Sequence, residues 1–340
     1  MRYPKFIKPK DTITLIAPSF GAATFPYDLR VKRAIKKFQK LGYNVKCGKN
    51  TFLAELPYLS NDPKKIAIEF MENYLDDGSN ILISVGGGEL QCETLPYIDF
   101  DKIKNSEPKW FDGFSDNTNY TFLLTTLCDV ASIYGHCMGS FGMYNWHESL
   151  IDEYKLLTGE KLNVKGYPKH QYESNRYQQK HPLSGYNLKY EKKIVSQMEK
   201  VEMSGRLLGG CLDILILLCG TKYDKVKEFN EKYKNDGVIW FLEACDLTSL
   251  AYRRAIFQLR EASWFENAKG FIIGRPARAF RDEAFGIDHY NALDILKDLN
   301  VPILMDCDLG HLPPSMPFIC GAYAHVTYID NNISIDYELK

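Results

Sequence analysis

The chain has 340 residues, of which 45% are hydrophobic, 25% charged and 13% aromatic. This composition is ordinary for a globular enzyme and excludes a disordered or fibrous protein, and the length favours two domains. Because 42 basic side chains face 43 acidic ones, for a net charge of −1, the sequence lacks the basic excess of a nucleic-acid binder. We therefore expect a small molecule or peptide as the partner, and no nucleic acid.

The N-terminus and the cysteines bear on the cellular compartment. Residues 1–10 lack the unbroken apolar core of a secretory signal, and no window reaches the ~18 apolar residues of a membrane span. The nine cysteines form no Cys-x-x-Cys pair and no regular framework, which favours a reducing compartment. The sequence thus predicts a soluble cytoplasmic protein without a membrane partner.

Apolar strands and amphipathic helices alternate through the first part of the chain. The predicted strands are Thr12–Ala17, Asn44–Cys47, Asn80–Val85, Lys109–Phe114 and Ala131–Tyr134. The helices between them include one with Val31, Ile35, Phe38 and Leu41 on one face, one that starts at Asp62-Pro63, and one at Asn117–Cys128. Such alternation favours a parallel sheet covered on both faces. Residues 1–150 are therefore predicted to form a Rossmann- or flavodoxin-like nucleophile domain.

The rest of the chain is predicted to be a polar segment and a smaller second α/β domain. Residues 151–204 lack a clear period, and we interpret them as a linker or a substrate-covering insertion. The second domain, 205–340, begins with an apolar, helix-length run at Leu207–Leu218. Further predictions are strands at Gly237–Leu242, Gly270–Gly274 and Val301–Met305, helices at Thr248–Ala262 and Asn291–Leu299, and a closing hairpin of Tyr323–Tyr328 and Ile333–Tyr337.

Three polar residues, Ser115, Glu243 and His311, fall at or just after predicted strand ends, where open parallel sheets bind ligands. Ser115 stands between a strand and a helix, as a nucleophile elbow does, although the second glycine of the hydrolase motif is missing. A helix cap by Ser115, Asp116 or Asn117 explains the same segment.

A serine hydroxyl needs a base to take its proton, and the base needs an orienting group. His311 lies in a Gly-His-Leu-Pro-Pro loop that can fix an imidazole, but a surface or hydrogen-bonded histidine also fits. Glu243 ends an apolar strand and can orient a histidine, or it can pair with Arg253 or Arg254 on the following helix. If the first pairing holds, Glu243 and His311 lie within hydrogen-bonding distance.

The glycines Gly86, Gly87 and Gly88 follow a predicted strand and offer backbone N–H groups without side chains. They suit an oxyanion hole, a phosphate cradle or a plain tight turn, but neither phosphate-loop motif is present. The remaining histidines are scattered without metal-ligand spacing, so no metal site is predicted. Among them, His136 follows a strand and could reach the same edge of the sheet.

Taken in order, these segments resemble the LD-carboxypeptidase family of serine peptidases over nearly the whole chain. In the first half the resemblance is carried by Asp11-Thr12-Ile13, Ala17-Pro18-Ser19, Gly86-Gly87-Gly88, Leu95-Pro96-Tyr97-Ile98-Asp99 and the run from Pro108-Lys109-Trp110 to Gly113-Phe114-Ser115-Asp116-Asn117-Thr118. In the second half it is carried by Gly205 to Gly220-Thr221, Phe241-Leu242-Glu243, and Gly310-His311 with Pro313.

The resemblance implies a catalytic triad of Ser115, His311 and Glu243, assembled across two domains with the active site between them. It also implies an oxyanion hole formed by the backbone N–H groups of Gly88 and Asp116. The resemblance also implies a homodimer, and it requires neither a metal nor an organic cofactor.

The family's best-known reaction removes the terminal D-alanine from the tetrapeptide of cytoplasmic muropeptides during peptidoglycan recycling. Its microcin C immunity branch, linked to antibiotic resistance, instead cleaves an amide between an aspartyl group and a nucleotide-like moiety. The polar segment 151–204 favours the immunity branch, while Gly88-Glu89-Leu90-Gln91 departs from that branch's turn. We expect the first reaction, with the second as an alternative and a non-catalytic muropeptide-binding protein as another.

A carboxypeptidase also needs a cation for the free carboxylate of its substrate. Arg254, Arg275 and Lys109 are the candidates in this sequence. Gly87, in the glycine turn, is a further candidate for contact with the substrate.

Overall fold

The computed structural model describes residues 1–172 and 180–340, which form two units. The first unit comprises Met1–Lys161 together with residues 180–186. The second comprises residues 162–172 together with Asn187–Lys340, so the two are of similar length. No helix in the described part of the chain has both the length and the apolar character needed to cross a membrane.

The first unit contains a parallel sheet whose strands run in the order β5-β4-β3-β1-β2. The strands are β1 (Thr12–Ile16), β2 (Asn44–Cys47), β3 (Ile81–Ser84), β4 (Trp110–Asp112) and β5 (Ser132–Tyr134). The helices are α1 (Tyr27–Lys40), α2 (Pro63–Leu75), α3 (Phe100–Lys104), α4 (Thr118–Cys128) and α5 (Glu148–Thr158). This confirms the predicted strand–helix alternation.

Local chemistry sets several boundaries in this unit. Helix α2 begins where Asp62 accepts hydrogen bonds from the backbone N–H groups of Lys64 and Lys65, with Pro63 in the first turn. Strands β3 and β4 are fully buried, as expected for strands covered on both faces. Because all five strands are parallel, the segments that follow β1, β3, β4 and β5 meet at the carboxyl edge of the sheet.

The second unit contains a seven-stranded sheet in the order β12-β11-β10-β9-β14-β15-β6. Strands β9 to β12 are parallel, and β14, β15 and β6 add to them in antiparallel fashion. The strands after β5 are β6 (Asn163–Lys165), β7 (Lys169–His170), β8 (Tyr190–Glu191), β9 (Lys200–Cys211), β10 (Val238–Glu243), β11 (Ala268–Gly274), β12 (Ile303–Cys307), β13 (Phe318–Cys320), β14 (Tyr323–Ile329) and β15 (Asn332–Glu338). The helices are α6 (Leu212–Leu218), α7 (Val226–Lys232), α8 (Ser249–Glu261) and α9 (His289–Ala292). The α/β fold class is confirmed in both units.

The prediction of one helix-length run at Leu207–Leu218 is wrong for its first half. Strand β9 continues to Cys211, and only then does α6 begin. The reason lies in Gly209, since a Cβ at this position would lie 1.7 Å from the carbonyl oxygen of Phe241. The glycine permits close strand pairing, which the apolar pattern alone did not reveal.

Two other regions differ from the predicted pattern. The helix predicted at Asn291–Leu299 consists of the one-turn helix α9 and a 3-10 segment, Asp294–Leu299, in which only Leu296 is buried. The segment 151–204 is shared between the units, because α5 belongs to the first while β6 to β8 and the start of β9 belong to the second. Residues 173–179 of this predicted insertion lie outside the described part of the chain.

Candidate active site

Ser115 lies in a tight turn between β4 and α4. Its φ angle is +64°, in the left-handed region that residues other than glycine seldom occupy. Ser115–Asn117 form a single 3-10 turn, and the backbone N–H of Ser115 donates to the phenolic oxygen of Tyr134 at 3.1 Å. In α/β hydrolases, a strained strand-to-helix turn of this kind exposes a nucleophilic serine above the sheet.

The polar residues after Ser115 are not simple caps of α4. Asn117 occupies the N-cap position without a capping hydrogen bond from its side chain. Its amide donates instead to the carbonyl oxygens of Gly86, at 3.1 Å, and Phe114, at 2.9 Å. Asn117 therefore ties the glycine turn after β3 to the residue that precedes Ser115.

The carboxyl group of Asp116 joins three segments around the Ser115 turn. Its Oδ2 accepts from the hydroxyl of Ser19, at 2.5 Å, and from the backbone N–H of Gln91, at 2.9 Å. Its Oδ1 accepts from the side-chain amide of Asn119, at 3.0 Å. Burial raises the pKa of Asp116 to about 6, and these hydrogen bonds oppose the rise. Sequence reasoning considered Asp116 as a helix cap or as a backbone donor and did not predict these contacts of its carboxyl group.

The glycine turn after β3 lies directly against Ser115. A Cβ on Gly87 would lie 3.2 Å from the Cβ and 3.3 Å from the Oγ of Ser115. A Cβ on Gly88 would lie 1.9 Å from the hydroxyl oxygen of Ser19, which is the group that donates to Asp116. Gly88 therefore needs to be glycine for its close approach to Ser19, and Gly87 leaves little room for a side chain beside Ser115.

In the second unit, Glu243 is the last residue of β10, and His311 lies in the loop after β12. The His311 Nδ1 atom lies 2.8 Å from Oε2 of Glu243, so the predicted contact between these two residues is observed. The Glu243 side chain is completely buried. Gly310, with φ of +97°, lets the loop cross Glu243, because a Cβ there would lie 2.5 Å from Oε2.

The surroundings of His311 favour its protonated form. Burial lowers the pKa of the imidazole, but the charge of Glu243 and hydrogen bonds to Cys245 and Glu243 raise it more, so it lies well above its usual value. A histidine of raised basicity can accept a proton from a hydroxyl and hold it next to a buried carboxylate. Sequence reasoning did not identify Cys245, which follows Glu243 by two residues.

Two of the predicted substrate-binding cations already have partners within the chain. Arg275 is buried, and its guanidinium donates to Asp308 Oδ1 at 2.7 Å and to the carbonyl oxygen of Asp306 at 2.8 Å. Arg275 therefore holds the end of β12 and the loop that leads to His311. Lys109 lies at the other end of β4 from Ser115 and binds the carbonyl oxygen of Asp76. Arg254 is exposed on α8, so it stays a candidate for the substrate carboxylate.

His136, which the sequence placed near the same edge of the sheet, is bonded to a carboxyl group of its own unit. It follows β5, is buried, and places Nδ1 2.5 Å from Oε2 of Glu153 in α5. In the described part of the chain, no group of three or more His, Cys, Asp or Glu side chains is arranged to hold a metal ion.

A serine at a strained strand-to-helix turn and a histidine bonded to a buried carboxylate, on an α/β fold, are the parts of a serine hydrolase. Residues 13–135 match the family model described as the LD-carboxypeptidase N-terminal domain, and residues 204–326 match the LD-carboxypeptidase C-terminal domain. The chain belongs to the LD-carboxypeptidase family. It is accordingly a serine-type peptidase, a hydrolase.

Similar proteins of known name cover almost the whole chain. The microcin C7 self-immunity protein MccF of Escherichia coli is 26% identical over 96% of this chain and 93% of its own length. The putative carboxypeptidase YocD of Bacillus subtilis (strain 168) is 23% identical over 98% of each chain. Among solved structures, an MccF-like protein from Bacillus anthracis str. Ames aligns with a TM-score of 0.80 and 22% identity over 99% of this chain and 100% of that one. MccF itself has been solved in complex with aspartyl sulfamoyl adenosine.

Proposed function

We propose that this protein is a serine carboxypeptidase that hydrolyses the C-terminal amide of a small peptide, namely the L,D bond of a murein tetrapeptide, and releases D-alanine. Ser115 is the nucleophile, His311 the base and Glu243 the group that orients the base. The observation that carries the proposal is the 2.8 Å contact between His311 and the fully buried Glu243. Through that contact Glu243 orients the imidazole and stabilises its protonated form, as the acid of a catalytic triad does.

The proposed reaction starts with attack of the Ser115 hydroxyl on the scissile carbonyl carbon. His311 takes the hydroxyl proton, and Glu243 stabilises the resulting imidazolium. The backbone N–H groups of Gly88 and Asp116 receive the oxyanion of the tetrahedral intermediate. His311 then gives the proton to the leaving amine, and water hydrolyses the acyl-enzyme by the same steps.

Arg254 is the proposed partner of the substrate's terminal carboxylate, and Gly87 is proposed to contact the substrate beside Ser115. Arg254 lies on α8, the helix that follows Glu243, whereas Arg275 is already bound to Asp308. If Arg254 binds the carboxylate, Arg254→Ala raises KM for the tetrapeptide about tenfold or more while kcat changes less. An unchanged KM in steady-state kinetics would remove Arg254 from the proposal.

A second candidate function is cleavage of the amide in an aminoacyl nucleotide. It is supported by the similarity to MccF over 96% of this chain and by the aspartyl sulfamoyl adenosine bound in a structure of MccF. The same triad chemistry applies, because the scissile bond is again attacked at a carbonyl carbon.

Parallel assays with murein tetrapeptide and aspartyl sulfamoyl adenosine separate these functions. The wild-type chain, Ser115→Ala and the control Ser106→Ala are incubated with each compound, and products are measured by mass spectrometry. Ser106 is a suitable control because it lies just after α3 and its hydroxyl donates to the carbonyl oxygen of Ile103, in that helix. We expect D-alanine release by the wild type and by Ser106→Ala, and none by Ser115→Ala.

Two outcomes would contradict the first function. Cleavage of the nucleotide compound alone would favour the second candidate. Equal binding of tetrapeptide by wild type and Ser115→Ala, with no turnover by either, would indicate a non-catalytic muropeptide-binding protein. The homodimer stays a prediction, and light scattering of the purified protein tests it.

A further inference from the structure

Three buried titratable side chains lie beneath the Ser115 turn, and the proposed triad uses none of them. Asp112 ends β4, Glu153 lies in α5, and His136 follows β5. The Asp112 and Glu153 side chains are fully buried, and His136 is 7% exposed. They belong to three separate elements of the first unit, so their meeting is a feature of the fold rather than of one local segment.

The contacts among these side chains are short and specific. The backbone N–H of His136 donates to both carboxyl oxygens of Glu153, at 2.9 and 2.8 Å, and its Nδ1 lies 2.5 Å from Oε2. A Cβ on Gly135 would lie 2.6 Å from Oδ1 of Asp112 and 2.8 Å from Cδ of Glu153. The two carboxyl groups therefore meet over Gly135, where no other residue leaves them room.

Among the residues that the structure describes, the two carboxyl groups have no lysine or arginine partner, and burial favours their protonated forms. Within residues 1–172 and 180–340, no lysine or arginine is hydrogen-bonded or ion-paired to either of them. Burial, the charge of Glu153 and a hydrogen bond that the protonated Asp112 donates to Glu153 raise the pKa of Asp112 far above its usual range. Burial also raises the pKa of Glu153, against hydrogen bonds from His136 and Asp112. Two carboxylates in contact away from water cannot both ionise, so the pair holds one proton near neutral pH.

The other titratable groups around the pair carry no compensating charge. Burial lowers the pKa of His136 to about 4, so the imidazole is neutral near neutral pH. Burial, together with the two carboxyl groups, raises the pKa of the Cys137 thiol to about 12, which keeps it protonated. The shared proton of Asp112 and Glu153 is thus the group in this cluster that is lost when the pH rises above neutral.

The cluster is directly connected to Ser115. Asp112 precedes Ser115 by three residues, and the intervening Gly113 donates its N–H to the carbonyl oxygen of Ile133 at 3.2 Å. The next residue of β5, Tyr134, accepts the N–H of Ser115. Any movement that separates the ends of β4 and β5 therefore also moves the acceptor that holds the backbone of Ser115.

We propose that Asp112, Glu153 and His136 form a positioning unit for Ser115, in which one proton shared by the two carboxyl groups holds the ends of β4 and β5 together. The effect on catalysis rests on the proposed function of Ser115. When the proton is lost, two adjacent negative charges repel, the strand ends separate and the contact between Ser115 and Tyr134 weakens. The expected signature is a fall in kcat at alkaline pH with little change in KM, because the nucleophile and not the substrate contacts is displaced.

Asp112→Asn tests this unit, because an amide donates permanently to the Glu153 carboxylate and no shared proton is needed. We expect near wild-type kcat at neutral pH, and an alkaline fall in kcat that is abolished or moved upward by about one pH unit or more. Glu153→Gln, which keeps an acceptor for the N–H of His136, is the second variant and has the same expected effect. The matched control is Glu69→Gln. Glu69 is a buried residue of the same unit, burial raises the pKa of its carboxyl group, and this group accepts a hydrogen bond from the N–H of Asn50.

Two readouts that need no turnover accompany the kinetics. The first is exchange protection of the Ser115 amide, measured by NMR, which falls at alkaline pH in the wild type and not in Asp112→Asn. The second is thermal stability. The folded wild type binds one proton more than the unfolded chain above the ordinary carboxyl pKa, so its stability falls as the pH rises towards the raised value. Asp112→Asn has no shared proton to lose, so the thermal stability of the variant relative to the wild type increases with pH.

The outcomes distinguish this proposal from the proposed function. An unchanged alkaline limb of kcat in both variants, or protection of the Ser115 amide that is insensitive to pH in the wild type, overturns the positioning unit. Parallel stability curves for wild type and Asp112→Asn overturn the shared proton. A wild type that hydrolyses neither test compound contradicts the proposed function alone, while protection of Ser115 and stability still report on the cluster.

Discussion

The buried acids near Ser115 and those near His311 are stabilised in different ways. In the second unit, Glu243 is bonded to His311, and Asp308 is bonded to Arg275. In the first unit, Asp112 and Glu153 meet each other, and Asp116 is held by neutral donors. The acids near His311 are thus paired with groups whose charged form is favoured, whereas near Ser115 the imidazole bonded to Glu153, that of His136, has its pKa lowered by burial to about 4.

This difference determines how each region responds to pH and to mutation. A buried ion pair depends on its partner, so removal of the partner leaves a buried charge and is costly. A buried acid without a cation depends on its proton, so a rise in pH is what disturbs it. We therefore expect the His311 region to be sensitive chiefly to substitution, and the Ser115 region to be sensitive also to alkaline pH.

The largest expected effect in the His311 region follows Glu243→Gln. The amide cannot stabilise an imidazolium or enforce the tautomer of His311, so kcat falls on the order of 10³–10⁴-fold, as for removal of the acid in other triads. Because the charge of Glu243 raises the pKa of His311, that pKa falls in the variant, and activity begins to rise at lower pH than in the wild type. The pH profile of kcat, together with an NMR titration of His311, measures both changes.

A Glu243→Gln variant with wild-type kcat would contradict the proposed role of Glu243 in catalysis. Such a result would mean that the contact with His311 is structural, and that a different group orients the base. Glu228→Gln is a suitable control, because Glu228 is an exposed acid of the same unit that pairs with Lys225 on the surface.

The next largest effect is expected for Arg275→Met. Removing the guanidinium leaves Asp308 buried without its cation, which we expect to cost about 3–5 kcal/mol in the free energy of unfolding. Lys225→Met, which breaks an exposed pair, should cost within about 1 kcal/mol. Urea denaturation of the two variants measures the contrast.

The same variant tests whether Arg275 stabilises the fold or binds the substrate carboxylate. If Arg275→Met raised KM for a carboxylate substrate while its unfolding free energy matched the wild type, the arginine would be a substrate ligand after all. The observed bonds to Asp308 and Asp306 predict the reverse, a loss of stability with the kinetic change secondary to it.

The strands around the site follow from their apolar runs, and the sequence located most of them. Runs such as Asn80–Val85 and Gly237–Leu242 are short, rich in β-branched or aromatic residues and bounded by glycine, and they became β3 and β10. The run Leu207–Leu218 failed because strand and helix are both apolar there, and the decisive fact is the approach of Gly209 to Phe241. That approach is a tertiary contact, which periodicity does not encode.

In the candidate site too, the sequence pointed to residues at strand ends but did not reveal contacts between distant residues. Ser115, Glu243 and His311 lie at or just after strand ends, so the topology of parallel sheets pointed to them, and the family resemblance supplied their predicted roles. The sequence did not reveal the partner of Arg275, because Asp308 lies 33 residues further along the chain. The acid pair of Asp112 and Glu153 had no signal at all, because its members are 41 residues apart and each alone resembles an ordinary surface acid.

The smallest expected effect concerns Ser19→Ala, which removes the hydroxyl donor to Asp116. We expect a loss of about 1 kcal/mol in unfolding free energy. The matched control is Ser60→Ala, since Ser60 is equally buried and its hydroxyl donates to the carbonyl oxygen of Ala17, a group that does not titrate. Both losses are measurable by urea denaturation across the pH range around the pKa of Asp116, which burial raises to about 6.

The two serine variants should diverge with pH. The hydroxyl of Ser19 stabilises the ionised form of Asp116, so its removal raises the pKa of Asp116 further above the ordinary value. The folded variant then keeps its proton to higher pH than the wild type, and the stability loss of Ser19→Ala grows as the pH rises through this interval. The loss in Ser60→Ala should stay constant. Parallel losses in the two variants would mean that Asp116 does not titrate in the folded chain. In that case the pH sensitivity of the Ser115 region would rest on Asp112 and Glu153 alone.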